Sequence, residues 1–142
     1  MAANSKFAVA THILTTLAYM SKGPAENELI NSEYLASSVN TNPVVVRRIV
    51  SELVKAGLVI SHQGKGGGLE LGRSPQKITL LDVYEAMGET PLFAYNPNKP
   101  NPNCPVSVKM VQVLKPVFSE VQDGVKERLE DIKLSDLVHK IG

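Results

Sequence analysis

The chain has 142 residues, 43% of them hydrophobic, which is enough to bury a core, and a formal net charge of only +1, so bulk charge does not announce a polyanion binder. Its single cysteine excludes an intramolecular disulfide framework and fits a reducing, cytoplasmic setting. No apolar run approaches the ~20 residues of a membrane span. The distribution of charge says more than its sum. Residues 1–78 hold eight Lys/Arg against five Asp/Glu, and residues 79–142 hold seven against nine, so the front half is the side suited to a polyanion.

The start, Met1 to Phe7, has no basic segment ahead of a continuous apolar run, so no signal peptide is expected. Asn4 or Ser5 can cap a first helix running to about Met20, with Phe7, Ala10, Ile13, Leu14, Leu17 and Ala18 as its buried stripe. His12 has no second ligand at metal spacing and reads as an ordinary helix residue. Ser21 to Asn31, with Gly23 and Pro24, reads as a loop. A short helix follows, capped by Asn31 or Ser32, with Leu35, Ala36 and Val39 facing inward.

Asn40 to Asn42 makes a tight connection into the helix with the clearest signature in the chain. Asn42 is a good N-cap, Pro43 suits the first helical position, and Gly57 can close the helix in the left-handed conformation. Val46, Ile49, Val50 and Leu53 form one apolar face. Val44, Arg48, Ser51 and Lys55 project from the opposite face, with Arg47 at its edge. Such a face can lie in a DNA groove or be plain solvated surface. Two helices joined by a turn of about three residues match the helix-turn-helix pattern.

After Gly57 the period changes. Leu58 to Ile60 and Leu69 to Leu71 read as strands around a glycine-rich tip, Ser61 to Gly68. The spacing of Gly64-Lys65-Gly66-Gly67-Gly68 is wrong for a phosphate-binding loop, and a strand rather than a helix follows it. The tip is either a flexible turn or a slim loop whose Lys65, with Gln63 beside it, reaches DNA phosphates or the minor groove. Helix, turn, helix and hairpin follow in the order of a winged helix.

Thr79 caps a further helix, with Asp82 completing a variant capping box; Leu81, Tyr84 and Met87 pack inward and Gly88 ends it. Residues 89–105, rich in proline and asparagine, cannot be helical, and so long an irregular tract is usually functional or mobile. From Val106 to about Asp131 the pattern is helical again. Met110, Leu114, Val117, Val121, Val125, Leu129 and Ile132 make one stripe, and Pro116 predicts a kink or a fresh start. The natural partner of this helix is a second copy of itself, or it folds back on the first helix. Leu134, Leu137, Val138 and Ile141 end the chain as a short amphipathic helix. The expected fold is therefore mainly α with one small β-hairpin. Residues 1–88 form a winged helix-turn-helix unit, 89–105 a loop with Cys104, and 106–142 a dimerisation helix plus a C-terminal helix.

The runs Val46 to Val59, Gly64 to Gly68 and Ile78 to Met87, in that order, resemble the Rrf2 family of bacterial transcription regulators, which includes cluster and nitric-oxide sensors. Asn40 to Arg48 and Asn101 to Pro105 are similar to its YwnA-like branch. The resemblance implies a homodimer on a partly palindromic double-stranded operator, with Val44, Val45, Arg47 and Arg48 in the part of the recognition helix that meets bases. Arginine can pair with guanine O6 and N7, and Val44 can meet a thymine methyl. Gln63 falls where some members place a minor-groove arginine, and carrying no charge it is a weaker contact than Lys65.

The largest departure from the family is in the loop. Cluster-binding members place three cysteines there, and this chain has Cys104 alone, so no iron–sulfur cluster and no metal are expected. Cys104 is then either a redox or electrophile sensor or an inert remnant. The lead reading is a homodimeric repressor with no enzymatic activity. A winged-helix module for protein contacts is the alternative. A Cys104 nucleophile served by His62 or His139 has nothing to bring the groups together.

Overall fold

The computed structural model describes residues 3–21 and 29–142, so Gly23 and Pro24 of the first loop lie outside the described residues. Helix α1, Ala3–Met20, is the central strut. Its Ala10, Ile13, Leu14, Leu17 and Ala18 are all at most 3% exposed, the spacing that lays one helix face into a core. The helix begins at Ala3, ahead of both Asn4 and Ser5.

The helix-turn-helix is built by three local devices. Asn31 caps α2, Ser32–Val39, its side chain accepting from the Tyr34 amide at 2.7 Å. That helix ends at Asn40 in the left-handed region (φ 59°), where the Asn40 and Thr41 amides donate back to Ser37 and Ala36. Asn42 then caps α3, Pro43–Lys55, accepting from the Val44 amide at 2.9 Å. Asparagine is the side chain best suited to both jobs, since it tolerates left-handed φ and caps N-termini. Val46, Ile49, Val50 and Leu53 are buried as the periodicity predicts.

Gly57 (φ +78°) closes α3. Its amide donates to Val54 and that of Leu58 to Leu53, a Schellman pair whose hydrophobic contact is Leu58 with Leu53, both fully buried. This cap also explains why the first strand, β1, is Val59–His62 and not Leu58 to Ile60: the Leu58 amide is committed to the helix end. Strand β2, Gly68–Leu71, pairs antiparallel with it, Val59 opposite Leu71 and His62 opposite Gly68. Ile30 and Leu69 exchange both backbone hydrogen bonds, which ties the chain ahead of α2 to the hairpin.

A 3₁₀ turn at Pro75–Lys77 leads into α4, Leu80–Ala86, with the Thr79/Asp82 capping box formed in both directions. Leu80, Val83, Tyr84 and Met87 are buried, whereas Leu81 is only half-buried and cedes the inward position to its neighbours. The tract 89–104 has no helix or strand, yet it is held down. The Tyr84 hydroxyl donates to the Thr90 carbonyl at 2.7 Å, and Phe93 and Tyr95 lie 5.5 and 5.3 Å from the Phe118 ring. Lys126 pairs with Glu89 at 3.0 Å, a hydrogen bond that holds its ammonium above the ordinary lysine range.

Helix α5, Pro105–Glu130, is continuous through Pro116, so no fresh start occurs there; proline removes one backbone donor, and the turns on both sides carry the helix across it. The apolar stripe expected along it divides into two parts. Val125 and Leu129 line a cavity of about 260 Å³ together with Phe7, Tyr84 and Met87, whereas Met110, Val117 and Val121 are exposed. Helix α6, Leu134–Ile141, does not continue outward with α5. Leu134 and Val138 sit in the same core as α1 and α3, and the Leu80 and Leu134 amides donate across to Ile132 and Ile78.

Candidate nucleic-acid interface

Turning Val46, Ile49, Val50 and Leu53 into the core leaves the opposite side of α3 to solvent. Val44 is 55% exposed, and Arg47, Arg48, Ser51 and Lys55 are all exposed. Val45 is half-buried against the core, so it offers less surface than its neighbours. The only acidic residue of α3, Glu52, turns away from this face and pairs with Lys6 of α1 at 2.7 Å. That pair has two effects. It cross-links α3 to α1, and it leaves the cationic front of α3 without an internal counter-charge.

The hairpin sets its tip beside this face. A cleft of about 450 Å³ is lined by Arg47, Val50, Ser61, His62, Gln63 and Gly64, together with Asn31 and Ser32 at the start of α2. Arg47 and Gln63 are therefore brought to one cleft, while Arg48, Ser51 and Lys55 continue along the helix and Lys65 stands exposed at the tip. The tip needs its glycines. The Gly67 amide donates to the Gly64 carbonyl at 3.0 Å, and a Cβ on Gly67 would lie 2.3 Å from the His62 carbonyl oxygen. Backbone this close excludes any side chain there.

Asn31, Ser32, Ser61 and His62 border the cleft and were not singled out as contacts from the sequence. Asn31 was legible only as a cap, and nothing local shows that the start of α2 comes beside the hairpin. His62 is held at 2.9 Å by Glu70 on the neighbouring strand. Cys104, half-buried, occupies the N-cap position of α5; its amide donates to the Asn101 carbonyl, and its carbonyl accepts from Val108.

A tight helix-turn-helix whose second helix bares a cationic face beside a glycine-tipped hairpin defines the winged-helix class of DNA-binding proteins. The sequence profile of the Rrf2 family, described as "Iron-dependent Transcriptional regulator", matches residues 3–140. The chain belongs to this family of transcription regulators, which is not an enzyme family. It is 40% identical over 139 residues to the "Putative HTH-type transcriptional regulator YwnA" of Bacillus subtilis, spanning 97% of this chain and 98% of that one. Among solved structures it resembles a "putative DNA binding protein" (TM-score 0.69, 37% identity, 93% of this chain and 97% of that one). It shares the fold of T. potens IscR (TM-score 0.70, 22% identity, 96% and 85%).

Iron, named in the family's description, finds no thiolate set in this chain. Cys104 is its one cysteine, and among the described residues no group of three or more His, Cys, Asp or Glu is placed to hold a metal. A cluster held by three cysteines of one chain does not fit these residues. Among the described residues no helix is long and apolar enough to cross a membrane.

Proposed function

We propose that this chain is a cytoplasmic, homodimeric repressor that reads a partly palindromic operator through α3 and the hairpin. The observation that carries the reading is the uncompensated cationic face of α3, with Glu52 drawn off to Lys6, beside a tip too slim to obstruct a groove. In this reading Arg48 and Arg47 meet base edges from the major groove, Val44 and Val45 make apolar contacts, and Ser51 and Lys55 meet the backbone. Lys65 and, more weakly, Gln63 anchor the hairpin on phosphates or in the minor groove. Residues 1–88 with α6 packed into the same core act as the reading unit, 89–105 as the responsive loop and α5 as the assembly segment.

The second copy is suggested by α5. No residue of this 26-residue helix is buried, and Val106, Met110, Val113, Val117 and Val121 are 40–63% exposed. With Leu114 these positions pair symmetrically about the midpoint between Val113 and Leu114: 106 with 121, 110 with 117, 113 with 114. That is the pattern of an antiparallel, self-complementary contact between identical helices. Cys104, where the loop enters α5, is the candidate at which oxidation or an electrophile alters DNA affinity. Its role is tested by operator affinity of wild type and Cys104→Ser, each with and without oxidant. Identical responses remove Cys104 as the sensor.

The whole reading is tested by band-shift titration on DNA upstream of the chain's own gene and on DNA selected from random sequence. Specific binding that weakens steeply with salt supports it. A salt-insensitive protein partner with no DNA protection supports instead a protein-interaction module.

A further inference from the structure

Alternation along the hairpin sorts its side chains onto two faces. Val59 and Leu69 are buried, so Ile60, His62 and Glu70, which alternate with them, stand on the outer face, away from the core. His62 is the last residue of β1, and its cross-strand partner Gly68 has no side chain to share that face. The imidazole instead reaches the diagonal neighbour, with Nε2 2.9 Å from Glu70 Oε1. Both side chains are close to half exposed, at 45% and 48%, and an ion pair in water contributes little to folding.

The charges around the pair are few. Within residues 59–71 the other charged side chains are Lys65 and Glu70, which cancel while His62 is neutral; a protonated His62 leaves the hairpin with a net positive charge. Arg47 of α3 is the other ionisable residue lining the cleft that His62 borders. Arg73, which shares a second cleft with Glu70, is engaged by Asp82 at 3.4 Å. Histidine changes charge between about pH 5 and 8. An ionised carboxylate can only accept, so Nε2 donates to Glu70 in either state, and among the described residues Nδ1 has no partner. The second proton therefore goes to Nδ1 and creates a new N–H donor, one residue before Gln63 and the glycine-rich tip.

We propose that His62 is a further contact to the DNA backbone, and that its proton sets how tightly the hairpin holds. Charged, it neutralises Glu70 and offers Nδ1–H to a phosphate flanking the groove that receives the tip. Neutral, it leaves the Glu70 carboxylate uncompensated beside a polyanion. Glu70 is the positioning residue, since it holds the ring across the strand pair. The inference rests on the DNA-binding reading above and adds to it a response to pH. A nearby phosphate favours the protonated ring, so binding takes up a proton. Affinity then rises as pH falls through the histidine range and is level above it.

The test is an anisotropy titration of the full-length protein on the selected operator and on random DNA, at about pH 6 and about pH 8 with ionic strength held constant. Wild type should bind both DNAs on the order of tenfold more tightly at the lower pH. Its salt slope there should be steeper by about two, one for each protomer of the dimer. His62→Asn, which cannot take the charge, should lose that rise. His62→Lys, charged throughout, should show no rise and should bind at the higher pH more tightly than wild type. Glu70→Gln should tighten binding at the higher pH, where the carboxylate opposes the phosphates. A pair that only braces the hairpin predicts instead that His62→Asn weakens binding equally at both pH values and lowers the urea midpoint, and that result overturns the inference. Equal wild-type affinity at both pH values also overturns it, as does a rise that persists in His62→Asn and so belongs to His12 of α1 or His139 of α6; each leaves DNA reading intact. No specific binding at either pH overturns both the inference and the reading on which it rests.

Discussion

Replacing Arg48 by alanine separates recognition from folding. Arg48 is exposed, and among the described residues it makes no hydrogen bond or ion pair, so its loss removes nothing from the fold. The expected change in stability is within about 0.5 kcal/mol, the usual range for such surface sites. Its effect on DNA should be far larger. A bidentate arginine–guanine pair discriminates by about 1–3 kcal/mol, equivalent to roughly 5- to 150-fold in affinity per half-site. A symmetric dimer loses two such pairs, so the combined effect lies nearer the upper end of that range or beyond it. The assay is a band-shift titration of wild type and Arg48→Ala on the selected operator and on variants with each base replaced, at one salt concentration. The variant should lose most affinity on the operator and little on DNA substituted at the base it reads. An unchanged affinity, or an equal loss on every sequence, refutes the base-contact role.

Four further outcomes follow from the same structure. Lys65→Ala should weaken all sequences alike and reduce the salt slope by about two, one for each protomer of the dimer, since a phosphate contact carries no sequence information; a change in base preference contradicts it. Gly57→Ala should cost about 1 kcal/mol, because φ is +78° and alanine pays for the left-handed region although its Cβ meets nothing; an unshifted urea midpoint removes that account of the α3 cap. Leu134→Ala should cost about 2–5 kcal/mol, as expected for emptying a fully buried site, if α6 belongs to the winged-helix core; a loss below about 1 kcal/mol shows the helix is peripheral. Val113→Asp should convert the dimer to monomers and weaken operator binding by loss of the second half-site, and sedimentation of an unaltered dimer would exclude the α5 pairing.

The parts legible in the sequence are those whose signals are local. Asn31, Asn42, Thr79 and Gly57 each act within a few residues of themselves, so their caps could be read directly and the structure contains them. The alternation at 69–71 and the apolar faces of α1 and α3 were equally plain. What could not be read is decided by distant partners. Glu52 looks like any exposed helix acid until Lys6, 46 residues away, is seen to draw it off the cationic face. The start of α2 borders the hairpin through the Ile30–Leu69 pairing, which no periodicity announces. Leu134 and Val138 read as the tail of an assembly segment, yet the Thr79–Lys133 bridge folds them back into the core. The irregular tract offered prolines and nothing more; the packing of Phe93 and Tyr95 against Phe118 is a tertiary fact.

The central claim is that the exposed face of α3 and the hairpin of a dimer read DNA by sequence. It is tested most directly by footprinting the wild-type protein on its selected site across a range of salt. The account predicts two protected half-sites related by a dyad and about one helical turn apart, with the logarithm of affinity falling linearly against the logarithm of salt. Protection without a dyad, or no site preferred over random DNA at any salt, would contradict it.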